Sequence, residues 1–367
     1  GSGREVIAFF GKEDFLSNMH PASLTLVGEN FGSSEQAYQW IKCFLAEDDE
    51  ARKDIANLDD DPVTCKRRAK PWNVNWRIRP RLWEDSKYAV MLNLLITKFK
   101  QNPLLGHQLD ATKDAWLIEA SPHDKDWGCG LNKFDLRSHL LRSDSLPGDN
   151  RLGQLLMEVR SFRRGEVKYP RALVVSDSQG RRLSPDEGFD LIVLPGARIQ
   201  LILKTLRCAL HDGYEVAVAF GGTNNLSVRP AAGARAEVST PTKFKGVMEQ
   251  YEKQTARFCS DHPAKRLLIT DIPPRFCDGD PTGKVTKMDR LVKRVNKSLD
   301  GLVRPGVSIL KLAEKLDCPD FFVRRKDGRI DLHLNESGAN LVQRSIANFV
   351  LDHSLAASAG CSGSTKC

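Results

Sequence analysis

Apolar and polar positions alternate along the chain in two styles. Near the start, "SLTLVGENFG" (Ser23–Gly32) alternates with period two, as a half-buried strand does, and "SSEQAYQWIKC" (Ser33–Cys43) then takes up helical spacing. Helical patterns dominate up to "RSFRRGEVKYPRA" (160–172), and all six tryptophans precede it. Beyond it, the short apolar runs "ALVVSDS", "FDLIVLPG", "EVAVAFGG", "RLLITDIPP" and "VSILKL" alternate with the helix-like "ARIQLILKTLRCALHDG" and "KFKGVMEQYEKQTARFC". Strands apolar on both sides and joined by helices predict a parallel sheet covered on both faces. The expected fold is therefore two domains: a mainly α-helical α+β domain over 1–165, then an α/β three-layer domain with a parallel sheet over 166–355. The small, polar "ASAGCSGSTKC" predicts a disordered tail over 356–367.

Composition narrows the class. Hydrophobic residues make up 41% of the 367 and charged residues 28%, ordinary for a globular protein. No apolar run approaches the roughly 18 residues a membrane span needs, and no charged–apolar–small leader pattern opens the chain, so no membrane association is expected. Nine cysteines lie scattered with no C-x-x-C, which argues against disulfides and zinc ribbons. That fits a reducing, intracellular setting (cytoplasmic or nuclear), with no metal and no cofactor expected. Residues 1–165 balance 24 basic against 24 acidic side chains, so the whole net charge of +8 lies in 166–367. A basic half suggests a polyanionic partner, with a plain solvated surface as the alternative.

Candidate chemistry begins at Glu35. Ser33 followed by Gln36 forms a capping box, and a glutamate in a first helical turn suits the helix dipole. Yet Glu35, Tyr38, Gln39 and Lys42 share one helical face, an odd stripe for a core. A solvated face and a binding site both remain open on spacing alone. Two loops, "KEDFLSNMHP" and "IEASPHDKDWGCGL", concentrate carboxylates, aromatics, Pro and Gly, as functional loops do.

Together, "FFGKEDFLSNMHPASLTLVGENFGSSEQAYQWIK", "WEDSKYAVMLNLLITKFKQNPLL", "LIEASPHDKDWGCGL" and "RLGQLLMEVR" resemble the NADAR, or YbiA-like, family over about residues 8–160. The resemblance implies a mainly helical domain that cleaves N-glycosidic bonds. Its substrates would be phosphoribosyl-pyrimidine intermediates of riboflavin synthesis, or ADP-ribose on a modified guanine in nucleic acid. ADP-ribose or ADP-ribosylated nucleic acid is then the expected partner. Glu35 matches the family's key glutamate, so the resemblance assigns it as base and cation stabiliser. Asp124 would position water or ribose, and Lys42 would anchor a phosphate or act on Glu35 by its charge. Ser17, Asn18, Gln39, Trp83, Trp127 and Gly128 complete the expected substrate contacts, the two indoles sandwiching a base or closing the pocket. The chain departs from the family pattern at "SNMHP", where an aromatic commonly precedes His, and at "WGCGL", where Cys129 replaces an aliphatic.

The second half resembles the SGNH, or GDSL-like, hydrolases over about 170–355, a flavodoxin-like three-layer fold. The residues are "VVSDSQGR", "LPGARI", "AFGGTNNL" and "RIDLHLNESGANLV". The resemblance implies Ser178 as nucleophile, Gly196 and Asn224 as oxyanion donors, His333 as base and Asp331 as its orienter. Ser176 stands where the pattern has Gly, Asn225 where it has Asp, and Asp331 lies two residues before His333 instead of three. An active serine site and a degenerate binding fold both stay open. Within 284–302, Lys287, Arg290, Lys293, Arg294 and Lys297 surround a helical apolar stripe and are candidate contacts to nucleic acid, or a solvated basic face.

Overall fold

The computed structural model describes every residue except 1–4, 58–60, 73–79, 144, 186–187, 229–239, 242, 275, 277–286, 325, 327–329 and 360–367. The chain divides into two compact units, Gly1–Tyr169 and Pro170–Cys367, just past the basic stretch where the sequence changes style.

In the first unit, β1 (Val6–Phe9) precedes a hairpin of β2 (Pro21–Leu26) and β3 (Glu29–Ser33). Ala22, Leu24 and Leu26 point inward in strict alternation. The turn places Val27 at φ 49° and Gly28 at φ 78°, the positive pair that lets two strands close tightly. Helices α1 (Ser34–Leu45), α2 (Asp49–Ala56), α3 (Pro62–Trp72), α4 (Pro80–Glu84), α5 (Lys87–Gln101) and α6 (Pro103–Ala111) follow. Strand β4 (Trp116–Glu119) returns parallel to β1, pairing Glu119 with Phe9, and α7 (Lys133–Leu140) and α8 (Arg151–Arg163) complete the unit. Helix α1 is central: every residue of it but Lys42 is buried.

In the second unit, β5 (Ala172–Ser176), β6 (Phe189–Val193), β7 (Val216–Phe220), β10 (Arg266–Thr270) and β11 (Val307–Leu310) form a five-stranded parallel sheet in the order β11-β10-β7-β5-β6. β5 and β7 are buried at every position, as the central strands of a doubly covered sheet must be. Helices α9 (Ile199–Ala209), α10 (Phe244–Asp261) and α11 (Lys287–Leu299) connect the strands, and a short β8 (Ser227–Val228) pairs with β9 (Thr240–Pro241). A separate antiparallel ribbon of β12 (Phe322–Arg324) and β13 (Ile330–Leu334) precedes α12 (Glu336–Ala359). The order reverses between β5 and β7, the switch point where open sheets of this kind bind ligands beyond the strand ends. The tail differs from expectation. Ala356, Ala357 and Ala359 favour helix, so α12 continues past position 356, and 360–367 lie outside the described residues.

Candidate functional site

The stripe on α1 is not a solvated face. Glu35, Tyr38 and Gln39 are each 6% exposed, so a carboxylate, a phenol and an amide lie in the interior together. Ser33 caps the helix, its Oγ accepting from the Gln36 N–H at 3.2 Å, while Gln36 Oε1 accepts from the Gly32 N–H at 2.8 Å. Capping is therefore done by Ser33 and Gln36, which leaves Glu35 for other work. Its N–H donates to the Asn18 carbonyl at 3.0 Å, and its Oε1 accepts from Gln39 Nε2 at 2.8 Å. The buried oxygens Asn18 Oδ1 and Gln39 Oε1 have no hydrogen-bond donor among the described residues. Buried acceptors rarely go unmet, so these two oxygens stand out beside Glu35.

The last residue of β4, Glu119, is one that the sequence groups with the carboxylates of "IEASPHDKDWGCGL" without giving it a role. Glu119 is buried, and its Oε2 also has no donor among the described residues. Burial pushes its carboxyl up to about 8; Lys66 pulls the other way, while the charges of Asp124, Asp14 and Glu35 raise it further. The only signal in sequence was its place in "IEASPHDKDW", without a periodic face to mark it. Asp124 is half-buried and spends its Oδ1 on the loop, accepting from Asp126 N–H at 3.1 Å and Trp127 N–H at 2.8 Å. Gly128 is a matter of space: a Cβ there would lie 2.8 Å from Ser121 Cβ and 2.9 Å from the Asp124 carbonyl.

Ser17 is likewise turned inward. It is 2% exposed, its Oγ accepts from the Met19 N–H at 3.2 Å, and its carbonyl accepts from Lys98 Nζ at 2.8 Å. Lys98 is fully buried, donates also to the Phe15 carbonyl at 2.7 Å, and burial lowers its ammonium to about 7 against the pull of Glu119. Trp83 and Trp127 both pack edge-on against Tyr38, at centroid distances of 5.2 and 5.8 Å. Burial, with Glu35 and Asp126 nearby, holds the Tyr38 phenol well above its usual range. Trp83 is buried, with Lys42 Nζ 5.6 Å from its ring centre. Lys42 is half-buried, and burial lowers its ammonium. Beside Trp127, Asp126 is held by Lys87 Nζ at 2.7 Å and Tyr88 OH at 2.6 Å.

In the second unit, Ser178 lies two residues past the end of β5, and His333 reaches it from β13. His333 Nε2 lies 3.0 Å from Ser178 Oγ, and His333 Nδ1 lies 2.8 Å from Asp331 Oδ1. The two-residue spacing does not strand Asp331. Positions 331 and 333 sit on a strand, whose period of two puts both side chains on one face. Asp331 Oδ1 also accepts from the His333 N–H at 3.2 Å, and Gln179 Nε2 ties the ribbon to the serine turn through the Leu332 carbonyl at 2.8 Å.

The oxyanion side is less ready. Gly196 turns at φ 80° after β6, and Asn224 follows β7. The Asn224 amide is already engaged: Nδ2 donates to the Ala197 carbonyl at 3.0 Å and to Asp177 Oδ2 at 3.2 Å. Asp177 is fully buried, and burial raises its carboxyl to about 6, with the Gln179 N–H and His333 pulling it down. Asn225 takes a structural place, accepting from the Ile199 N–H at 2.7 Å.

On α11, Arg290, Lys293, Arg294 and Lys297 are exposed, while Val292, Val295 and Leu299 face inward. Lys293 pairs with Asp289 at 3.3 Å, and Arg294 stacks over the Phe244 ring at 4.0 Å. The Lys287 side chain and residues 284–286 lie outside the described residues. No helix among the described residues is long and apolar enough to cross a membrane, and none of their His, Cys, Asp or Glu groups forms a metal-holding cluster.

Comparison with known proteins places these features in context. The family model described as "NADAR domain" matches residues 8–162. Protein irg-1 of Caenorhabditis elegans is 30% identical over 179 residues, 48% of this chain and 81% of the relative. N-glycosidase YbiA of Shigella flexneri serotype 5b is 32% identical over 161 residues, 42% of this chain and 86% of the relative. Among solved structures, a lipase/acylhydrolase from Enterococcus faecalis aligns at 16% identity and TM-score 0.35, covering 49% of this chain and 95% of that one.

Proposed function

The chain belongs to the NADAR family, whose model its residues 8–162 match, and from that premise we propose that the first unit is an N-glycosyl hydrolase that releases ADP-ribose from a modified nucleic-acid base, guanine foremost. The observation that carries this reading is the buried Glu35, bonded to Gln39 and through its backbone to Asn18, both of which hold an unmet amide oxygen, inside an otherwise core-facing helix. The N-glycosidase name of the Shigella relative supports the reaction class.

Cleavage of a ribosyl C–N bond builds positive charge on the anomeric carbon. The Glu35 carboxylate stabilises that charge and takes a proton from the attacking water. Asn18 Oδ1 and Gln39 Oε1 accept from ribose hydroxyls, the donors they lack within the chain. Asp124 offers its oxygen not used by the loop to the water or sugar, and Lys42 meets the diphosphate. The basic second half supports a nucleic-acid substrate over a free nucleotide.

The test is mass spectrometry on a DNA oligonucleotide bearing ADP-ribosyl-guanine. Wild type and Ser178→Ala are expected to release ADP-ribose, and Glu35→Ala is not. Release by Glu35→Ala at the wild-type rate removes Glu35 from the mechanism. Binding without product makes the protein a reader of the modification, and cleavage only of phosphoribosyl-pyrimidines moves the substrate to riboflavin intermediates.

A second reading, a serine hydrolase acting on an ester in the second unit, is favoured by one specific geometry: Ser178, His333 and Asp331 in hydrogen-bonded sequence. A fluorophosphonate probe should label the protein and fail on Ser178→Ala. An unlabelled, folded wild type would leave this unit as a binding fold.

A further inference from the structure

Glu119 is a carboxyl group held in a place with no work for it in the fold. Its backbone is fixed at three points: the N–H donates to Asn150 Oδ1 at 2.9 Å, and the carbonyl accepts from Ser121 N–H and Cys129 N–H, both at 2.9 Å. Gly128 packs so closely over that carbonyl that a Cβ would come within 3.2 Å. The side chain is 8% exposed, and its Oε2 meets no donor among the described residues. Three other acids, Glu35, Asp124 and Asp14, act on it and disfavour its ionised form, although Asp14 is itself paired with Lys133 at 2.6 Å. The nearby cations do not cancel this. Lys98 is committed to the Phe15 and Ser17 carbonyls, and Lys66 is exposed.

A protonated carboxyl resolves the conflict, and its O–H then needs an acceptor that the protein does not provide. A departing base nitrogen is such an acceptor. We propose that Glu119 is the proton donor to the leaving base in the N-glycoside cleavage inferred for the first unit, on which this role rests. As the ribosyl C–N bond breaks, its electron pair goes to the nitrogen, which takes the Glu119 proton. Water adds its oxygen to the ribosyl carbon and gives a proton to Glu35. The cycle ends with Glu119 ionised and Glu35 protonated; transfer of that proton through solvent restores both. Burial and the neighbouring acids keep Glu119 protonated at neutral pH, its carboxyl standing at about 8.

The experiment uses the full chain and compares wild type with the near-isosteric Glu119→Gln on two substrates. One is the ADP-ribosyl-guanine oligonucleotide, whose leaving group needs a proton. The other is an aryl ADP-ribose with a 4-nitrophenolate leaving group, which needs none. Glu119→Gln should lose about 100-fold or more in kcat on the guanine adduct, the usual scale of acid catalysis, and far less on the aryl substrate. The alkaline fall of wild-type kcat/KM near the Glu119 titration should also vanish from the variant's profile. Lys66 on α3, Lys98 on α5, Glu35 on α1 and the loop residues Asp14 and Asp124 face the same group and are present in both proteins. Equal loss on both substrates, or loss on neither, overturns the proposal while leaving the glycosidase reading standing. A folded wild type inactive on both overturns the glycosidase reading, and the proton-donor role falls with it.

Discussion

A charge withdrawn from water has to be met by something, and the buried ionisable groups of the first unit are met differently. Lys98 is met inside the fold, by the Phe15 and Ser17 carbonyls. Lys98→Met would leave both carbonyls without their donor while removing the cost of burying an ammonium. The expected net is a loss of about 2 kcal/mol, since breaking a buried charged interaction from one side outweighs the relief. Urea unfolding checks it, and KM should rise with it as the Ser17–Asn18 loop loosens. Glu119 is met by protonation. Its folded carboxyl stands at about 8 against an ordinary 4.5, so its stabilising effect is full below about 4.5 and is lost as pH rises through about 8. The stability of wild type minus that of Glu119→Gln should therefore fall between pH 5 and pH 9. Lys98 titrates in the opposite sense but is common to both proteins, so the difference isolates Glu119. A flat difference would mean Glu119 is ionised in the fold. The grouping of Glu35 with Tyr38, Gln39 and Lys42 was legible in sequence from helical spacing, its role only through the family resemblance. Glu119 was not, because its burial comes from the closure of residues 121–150 over β4, a tertiary event without local periodicity.

At the scale of elements, period decides what a spacing means. Asp331 and His333 read as a defective pair while a three-residue offset is the yardstick. On β13 an offset of two puts both side chains on one face, and the imidazole is oriented at 2.8 Å. Asp331→Asn should thus slow fluorophosphonate labelling of Ser178 by about 100-fold or more, because the amide favours the wrong imidazole tautomer. A rate unchanged from wild type would mean that Asp331 does not set His333. The parallel strands were legible as apolar runs because both sheet faces are covered. The β12–β13 ribbon was not, since its short strands are only partly buried. Helix α1 shows the reverse: its capping box was readable, but the immersion of its polar stripe depends on α2, α3 and α5 packing round it, which its own spacing does not contain.

For the whole molecule, charge is the property that distinguishes the halves: residues 1–165 are neutral and 166–367 carry the +8. A neutral, acid-lined catalytic unit gains nothing from long-range attraction to a polyanion, so capture of nucleic acid would fall to the basic half. On α11 the candidates are unequal. Arg294 is stacked on Phe244 and contributes to packing, so replacing it would confuse folding with binding. Arg290, Lys293 and Lys297 project from the same exposed side, with Lys293 only loosely held by Asp289 at 3.3 Å on the surface. The triple replacement Arg290→Gln, Lys293→Gln, Lys297→Gln should weaken duplex DNA binding by a similar factor for every sequence tested. The slope of log K against log salt should shallow by about 0.9 for each phosphate no longer neutralised, hence by nearly 3 if all three side chains contribute. Fluorescence anisotropy across a salt series on the full chain reads both quantities. A slope equal to wild type would assign the binding charge to other parts of the basic half and leave α11 as a packed helix with a solvated face.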